Sequence, residues 1–223
     1  MKWGVSVENK FSGKYHEHYA MLSLEHCYNS DWNVFDVTKE SPDLQSCDLD
    51  VGIEVTRAII SHDDGIAKTI AGTYFGKGLS TEDISDAVEK YFPKFGGELG
   101  SAGGCTFISH TKGIYDFESH KLKLTERIKS KTYKLNGNYK IFQNNHLYIF
   151  TGSGLFEKED VIAAVAVSNE EIKMFDKKYD LYFVNCIDKL FVVDRASMNI
   201  QEITIDESIL KRIKTDALAC VET

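Results

Sequence analysis

The stretch "ESPDLQSCDLDVGIEVTRAI", residues 40–59, decides how the rest of the chain is read. Pro42 fixes its own backbone, and Ser41 and Asp43 favour turns, so "KESPD" is expected to reverse the chain. "LDVGIEVTRAII" then alternates as a strand does, with Leu49, Val51, Ile53 and Val55 on one face and Asp50, Gly52, Glu54 and Thr56 on the other. Glu54 thus sits where a β-branched residue would be at home, eleven positions after a second acid, Asp43. An extended strand rises about 3.3 Å per residue, so the two carboxylates meet only if a tight turn at Pro42–Asp43 feeds a short strand pair. Adjacent carboxylates repel, and each raises the other's pKa unless something positive lies between them. A hard divalent cation meets that need, since Mg²⁺ takes one or two carboxylates plus phosphate oxygens. On spacing alone the plainer alternative is favoured, with Asp43 a turn residue and Glu54 a solvated position on a half-exposed strand.

A lysine shifts that balance. On the helix expected over 119–135, Leu124, Ile128, Lys131 and Leu135 are spaced four, three and four apart and form one stripe. Lysine is almost never buried unless paired. Lys131 therefore either snorkels to the surface or has an anionic partner inside. Lys129 and Lys134 lie off the stripe and are expected in solvent. A lysine aimed at two acids and a metal would orient water or stabilise charge building on a phosphoryl oxygen.

Working outward, "GKYHEHYAMLSLEHCYNSD" reads as a helix over about 14–28, with Glu17, Met21, Leu24 and Tyr28 on one stripe. "WNVFDVT" (32–38) reads as a strand. Residues 61–79 are expected to begin helical and end in a glycine-rich loop, "STEDISDAVEKYF" to be a capped helix, and "GGELGSAGGC" a flexible loop, so 61–104 reads as an insertion. "HLYIF" is a strand and "EKEDVIAAVAV" a helix running on through "SNEEIKMF". "DLYFVNC", "KLFVVDR" and "NIQEITI" form an antiparallel meander, a β-rich extension over 176–206, before the closing helix "ESILKRIKTDAL". The expected fold class is α/β (α+β), a single domain over 1–223 with a mixed sheet flanked by helices.

Composition sets the outer limits. The 223 residues, 43% hydrophobic and 12% aromatic, are enough for a sizeable core. No apolar run approaches a membrane span, and the N-terminal residues lack a signal peptide's apolar stretch. Five widely spaced cysteines without a CxxC pair point to reduced thiols in a cytoplasmic protein. The net charge of −8 argues against a large nucleic-acid footprint, yet residues 112–140 carry eight bases against three acids, a local +5 that leaves −13 on the remainder. Such a run is more often a solvated helix face than a phosphate-binding one. "HEH" at 16–18 lacks HExxH spacing, and "GSAGG" at 100–104 is not followed by Lys-Ser/Thr, so neither a zinc site nor a phosphate cradle is expected.

Pro42–Asp43 followed by "GIEVT" resembles the PD-(D/E)xK nuclease superfamily, the restriction-endonuclease-like fold, with Glu54 at the position of the second acid. A divergent bacterial and phage branch of it also resembles this chain in the later "IKSKTYKLNGNYKIFQNNHLYIF". The resemblance covers the first two-thirds of the chain and implies an αβββαβ core, of which the third strand is not evident from the sequence. It implies a Mg²⁺-dependent DNA endonuclease, with Mn²⁺ as substitute, in a setting such as restriction or antiviral defence. Asp43 and Glu54 would hold the metal, with Glu17 on the first helix (Glu25 as fallback) extending the site. The family places lysine two residues after the second acid. Here that residue is Thr56, whose hydroxyl cannot supply positive charge. Some divergent members recover the charge from a neighbouring helix, and Lys131 would do so here. Lys121, Lys123, Arg127, Lys129 and Lys134 would contact the phosphate backbone of nucleic acid, DNA ahead of RNA. The meander from Tyr179 to Ile205 reads as structural, or as a surface for a homodimer or a protein partner. The rival expectations are a binding or assembly subunit that kept the fold and lost the chemistry, and an unrelated α/β domain with the two acids far apart.

Overall fold

The computed structural model describes residues 13–28, 35–38, 41–46, 48, 50–58, 97–102, 105–110, 117–137, 139–151 and 156–222. Their elements, in chain order, are α1 (Gly13–Cys27), β1 (Asp36–Val37), β2 (Leu44–Ser46), β3 (Val51–Arg57), β4 (Gly97–Ala102), β5 (Cys105–His110), α2 (Phe117–Leu135), β6 (Asn144–Phe150), α3 (Lys158–Ile172), β7 (Leu181–Cys186), β8 (Lys189–Asp194), β9 (Ile200–Thr204) and α4 (Glu207–Glu222). The chain divides into two compact units, Met1–Asn9 with Ile60–Ser119 and Lys10–Ile59 with His120–Thr223.

In the larger unit one seven-stranded mixed sheet runs in the order β1-β2-β3-β6-β7-β8-β9. β1, β2 and β3 are antiparallel neighbours, whereas β3, β6 and β7 run parallel. Parallel neighbours need long crossovers, and α2 and α3 lie in those connections. The meander β7–β8–β9 continues the same sheet through antiparallel pairs.

Alternation along the strands divides the core between two faces. Val51, Ile53, Tyr148, Phe150, Phe183, Leu190 and Val192 pack with Tyr15, Tyr19, Ala20 and Leu24 of α1 and Ile213 and Ala217 of α4. α1 also packs on β3 and β1. The Ser23 and Tyr148 hydroxyls, 2.7 Å apart, tie it to the central strand β6. The opposite face presents Leu147, Ile149, Tyr182 and Val184, all fully buried. α2 covers it near β3, with Leu124, Ile128 and Leu135 buried as their spacing predicts. α3 lies beside α2, where the Thr125 hydroxyl donates to the Ala164 carbonyl over 3.3 Å.

In the smaller unit β4 and β5 form an antiparallel hairpin. This corrects the reading of "GGELGSAGGC" as loop. Glycine weakens a strand interior without forbidding it, and the β-branched and aromatic residues of "CTFISH" pair opposite. The expected helix over "STEDISDAVEKYF" and the reading of 61–79 lie outside the described residues, as do 32–34 of the expected first strand. Among the described residues no helix is long and apolar enough to cross a membrane, and Cys27 and Cys186 are free thiols.

Candidate functional site

The hairpin β2–β3 answers how two acids eleven positions apart can meet. Leu44 pairs with Ile53, and carrying that register one residue outward sets Asp43 opposite Glu54. Directly opposed residues of an antiparallel pair share a face, so both acids occupy one face of the open end of the hairpin. The reversal that joins them lies between Ser46 and Val51, where Asp50 adopts a positive φ of 48° that Asp tolerates better than most residues. Pro42 and Asp43 close the preceding turn, in which the Thr38 amide donates to the Asp43 carbonyl over 2.9 Å.

Asp43 is fixed by its own strand partner. β2 begins one residue later, and the Asp43 carboxylate Oδ2 accepts the Val55 amide at 2.8 Å. Gly52 explains how the Pro-Asp turn lies so close over β3, because a Cβ there would come within 2.6 Å of both Pro42 and Phe142 side-chain carbons. Only glycine leaves that room.

Glu54 is 3% exposed and Thr56 8%, so the face expected to be half solvated is buried. Parallel neighbours and a covering helix explain this, since β3 has β6 beside it and α2 above it. A buried carboxylate requires partners. The Lys131 ammonium reaches Glu54 Oε1 from the core-facing stripe of α2. The Tyr139 hydroxyl donates to the same oxygen at 3.0 Å. Glu54 Oε2 is buried with no hydrogen-bond partner among the described residues, and so is Glu17 Oε2.

The electrostatics link three elements. Burial, then the charges of Asp43 and Glu54, push the Glu17 carboxyl up to about 7 against the pull of Lys14. Burial and the Glu54 charge push Asp43 up to about 6, opposed by the Val55 amide and by Lys131. Burial and Glu54 likewise push the Tyr139 phenol up to about 12. Glu17 and Asp43 therefore hold a negative charge reluctantly, the condition a bound cation relieves.

Of the residues singled out in the sequence, Glu54 and Lys131 are in direct contact, Asp43 lies opposite Glu54 by register and feels both of their charges, and Glu17 joins through the fields of Asp43 and Glu54. Among the described residues no three His, Cys, Asp or Glu side chains cluster closely enough to hold a metal ion, so Glu17 is not a third member of the Asp43–Glu54 pair. The basic set disperses over the other faces of α2. Lys121 pairs with Asp160 at 3.9 Å, Lys129 with Glu171 at 3.3 Å and Lys123 with Glu126 at 3.1 Å. Arg127 is half-buried and Lys134 exposed. Tyr139 was not legible as a site residue. It lies outside any helix or strand, and its cue is a tyrosine shortly after the "NGN" stop, within the "IKSKTYKLNGNYKIFQNNHLYIF" segment that carries part of the resemblance.

Comparison with protein-family models, curated proteins and solved structures finds no match to this chain.

Proposed function

We propose that this protein is a metal-dependent nuclease, hydrolysing phosphodiester bonds of DNA ahead of RNA, and a divergent PD-(D/E)xK member with Glu-x-Thr in place of Glu-x-Lys. One observation carries the reading: a buried carboxylate, Glu54, lies opposite Asp43 and is held by an ammonium from a neighbouring helix. Burying charges costs free energy that hydrophobic residues of the same size would not, so such an arrangement is more often kept for chemistry than for stability. The element order supports it as well once the β4–β5 hairpin is set aside, with a helix, three antiparallel strands, a second helix, and a strand parallel to the third.

The residues fit Mg²⁺, or Mn²⁺ in its place. Glu54 Oε2 is a buried oxygen lacking a hydrogen-bond partner among the described residues, and the raised Asp43 carboxyl gains from a neighbouring cation. Asp43 and Glu54 would hold the ion, a pair that suits Mg²⁺ completed by water and phosphate oxygens. When bound, the ion supplies polarisation of the scissile phosphate and a more acidic water. Lys131 then supplies the positive charge that Thr56 lacks, beside oxygens that gain negative charge. Glu17, with its carboxyl near 7, holds or releases a proton around neutrality. Arg127 and Lys134, for which no carboxylate partner is seen among the described residues, would be the members of the basic set to meet phosphates.

A second reading keeps the fold without the chemistry, as a binding or assembly subunit. Thr56 at the usual lysine position and the net charge of −8 favour it. Digestion of supercoiled plasmid, single-stranded DNA and RNA with Mg²⁺ and with Mn²⁺ separates the two. The nuclease reading expects cleavage of at least one substrate, reduced roughly 100-fold or more in Asp43→Ala and Glu54→Ala. No cleavage of any substrate, together with a stable partner complex, would establish the second reading.

A further inference from the structure

We infer that Tyr139 is a positioning residue, which holds Glu54 so that Oε2 is the oxygen offered to a divalent cation. The inference rests on the nuclease reading and concerns this chain's own residues. Glu54 Oε1 receives two donors, the Lys131 ammonium and the Tyr139 hydroxyl. Two donors converging on one carboxylate oxygen fix the rotation of the carboxyl group. The other oxygen, buried and without a hydrogen-bond partner among the described residues, keeps its lone pairs. A ligating carboxylate is generally oriented by such outer partners, and their loss costs metal affinity.

Tyr139 is itself braced. It lies on the segment between α2 and β6 that crosses the β2–β3 hairpin. Lys140 Nζ reaches Gln45 Oε1 at 3.2 Å, and Phe142 packs over Gly52 beside Pro42. The Asn145 side chain clamps Phe142 through both of its backbone groups, at 3.1 Å to the amide and 2.6 Å to the carbonyl. The Ser41 side chain lies near enough to the Tyr139 phenol to pull its pKa down, against the burial and Glu54 charge that raise it. Tyr139 thereby links the Pro-Asp turn to Glu54, and the two halves of the acid pair keep their spacing.

The test is calorimetric titration of Mn²⁺ alone into wild type, Tyr139→Phe and Ser41→Ala, with thermal unfolding of each metal-free protein alongside. Tyr139→Phe removes one hydroxyl and leaves the Lys140 and Phe142 contacts, so its fold should persist. A drop of about 10-fold or more in Mn²⁺ affinity is expected for Tyr139→Phe, and a smaller one for Ser41→Ala. A merely structural role would lower the melting temperature and leave Mn²⁺ affinity unchanged, and that result overturns the assignment. If Tyr139→Phe fails to fold, Ser41→Ala decides: wild-type affinity in that variant overturns the assignment. Wild type failing to bind Mn²⁺ removes the nuclease reading and this assignment together, whereas binding by wild type with equal affinity in both variants removes this assignment only.

Discussion

Lys131 and Glu54 illustrate what one buried ion pair asks of a sequence. Their side chains are 13% and 4% exposed, so each charge depends on the other for the solvation that water would have given. Lys131→Met leaves the Glu54 carboxylate buried without its cation, and the loss is expected at about 3–5 kcal/mol. Glu54→Gln combined with Lys131→Met should recover most of it, because the pair is removed together. Urea denaturation of wild type, Lys131→Met, Glu54→Gln and the double variant measures both values, and a Lys131→Met cost below about 1 kcal/mol would show a solvated lysine instead. Glu17 makes the complementary case. Its carboxyl is raised from 4.5 to about 7, first by burial and then by Asp43. Its folded pKa lies above its unfolded one, so its contribution to stability is complete below about 4.5 and is lost as pH rises through about 7. Wild type should therefore lose stability between pH 5 and pH 8 relative to Glu17→Gln. Melting curves of the two that run parallel across that window would contradict the burial and acid coupling assigned to Glu17.

At the scale of elements, the hairpin β2–β3 does the positioning. Its register puts Asp43 opposite Glu54, and Gly52 lets the Pro-Asp turn lie against the strand. Gly52→Ala would drive a methyl group to 2.6 Å from Pro42 and Phe142 carbons, distances that must open. Overpacking of this kind costs about 1–3 kcal/mol. It should also reduce cleavage in the folded protein, since Pro42 and Asp43 move together. Full activity with unchanged stability in Gly52→Ala would show that the close approach is not needed. The alternation in "LDVGIEVT" was legible, as was the helical stripe that aims Lys131 inward, because both depend on local period. The pairing of β2 was not. A three-residue strand, "LQS", carries no alternation to read, and its register follows from contacts with β3 and β1. The burial of Glu54 was equally hidden, because it depends on β6 and α2, which arrive some ninety and seventy-five residues later. The hairpin β4–β5 was missed since glycines mask the strand propensity of its first half.

At the scale of the larger unit, the sheet separates an apolar face from the face that carries Glu54. The face shared with α1 and α4 is apolar and aromatic, and Phe183 lies within it against Tyr28, His146 and Tyr148. The face under α2 carries Glu54. Phe183→Ala should accordingly cost about 3–5 kcal/mol of stability while leaving the rate per folded molecule near wild type at low temperature. The mixed α/β class was legible from the succession of helical and strand periods. That β7–β9 extend the same sheet was not, because strand order is set by long-range pairing. The most direct measurement of the central claim is cleavage of DNA in Mg²⁺ by wild type and Asp43→Asn. That substitution removes a charge and keeps an oxygen able to accept the Val55 amide. The account predicts cleavage by wild type and a roughly 100-fold or greater loss in a variant that melts no lower than wild type. Equal cleavage by the two proteins would contradict it.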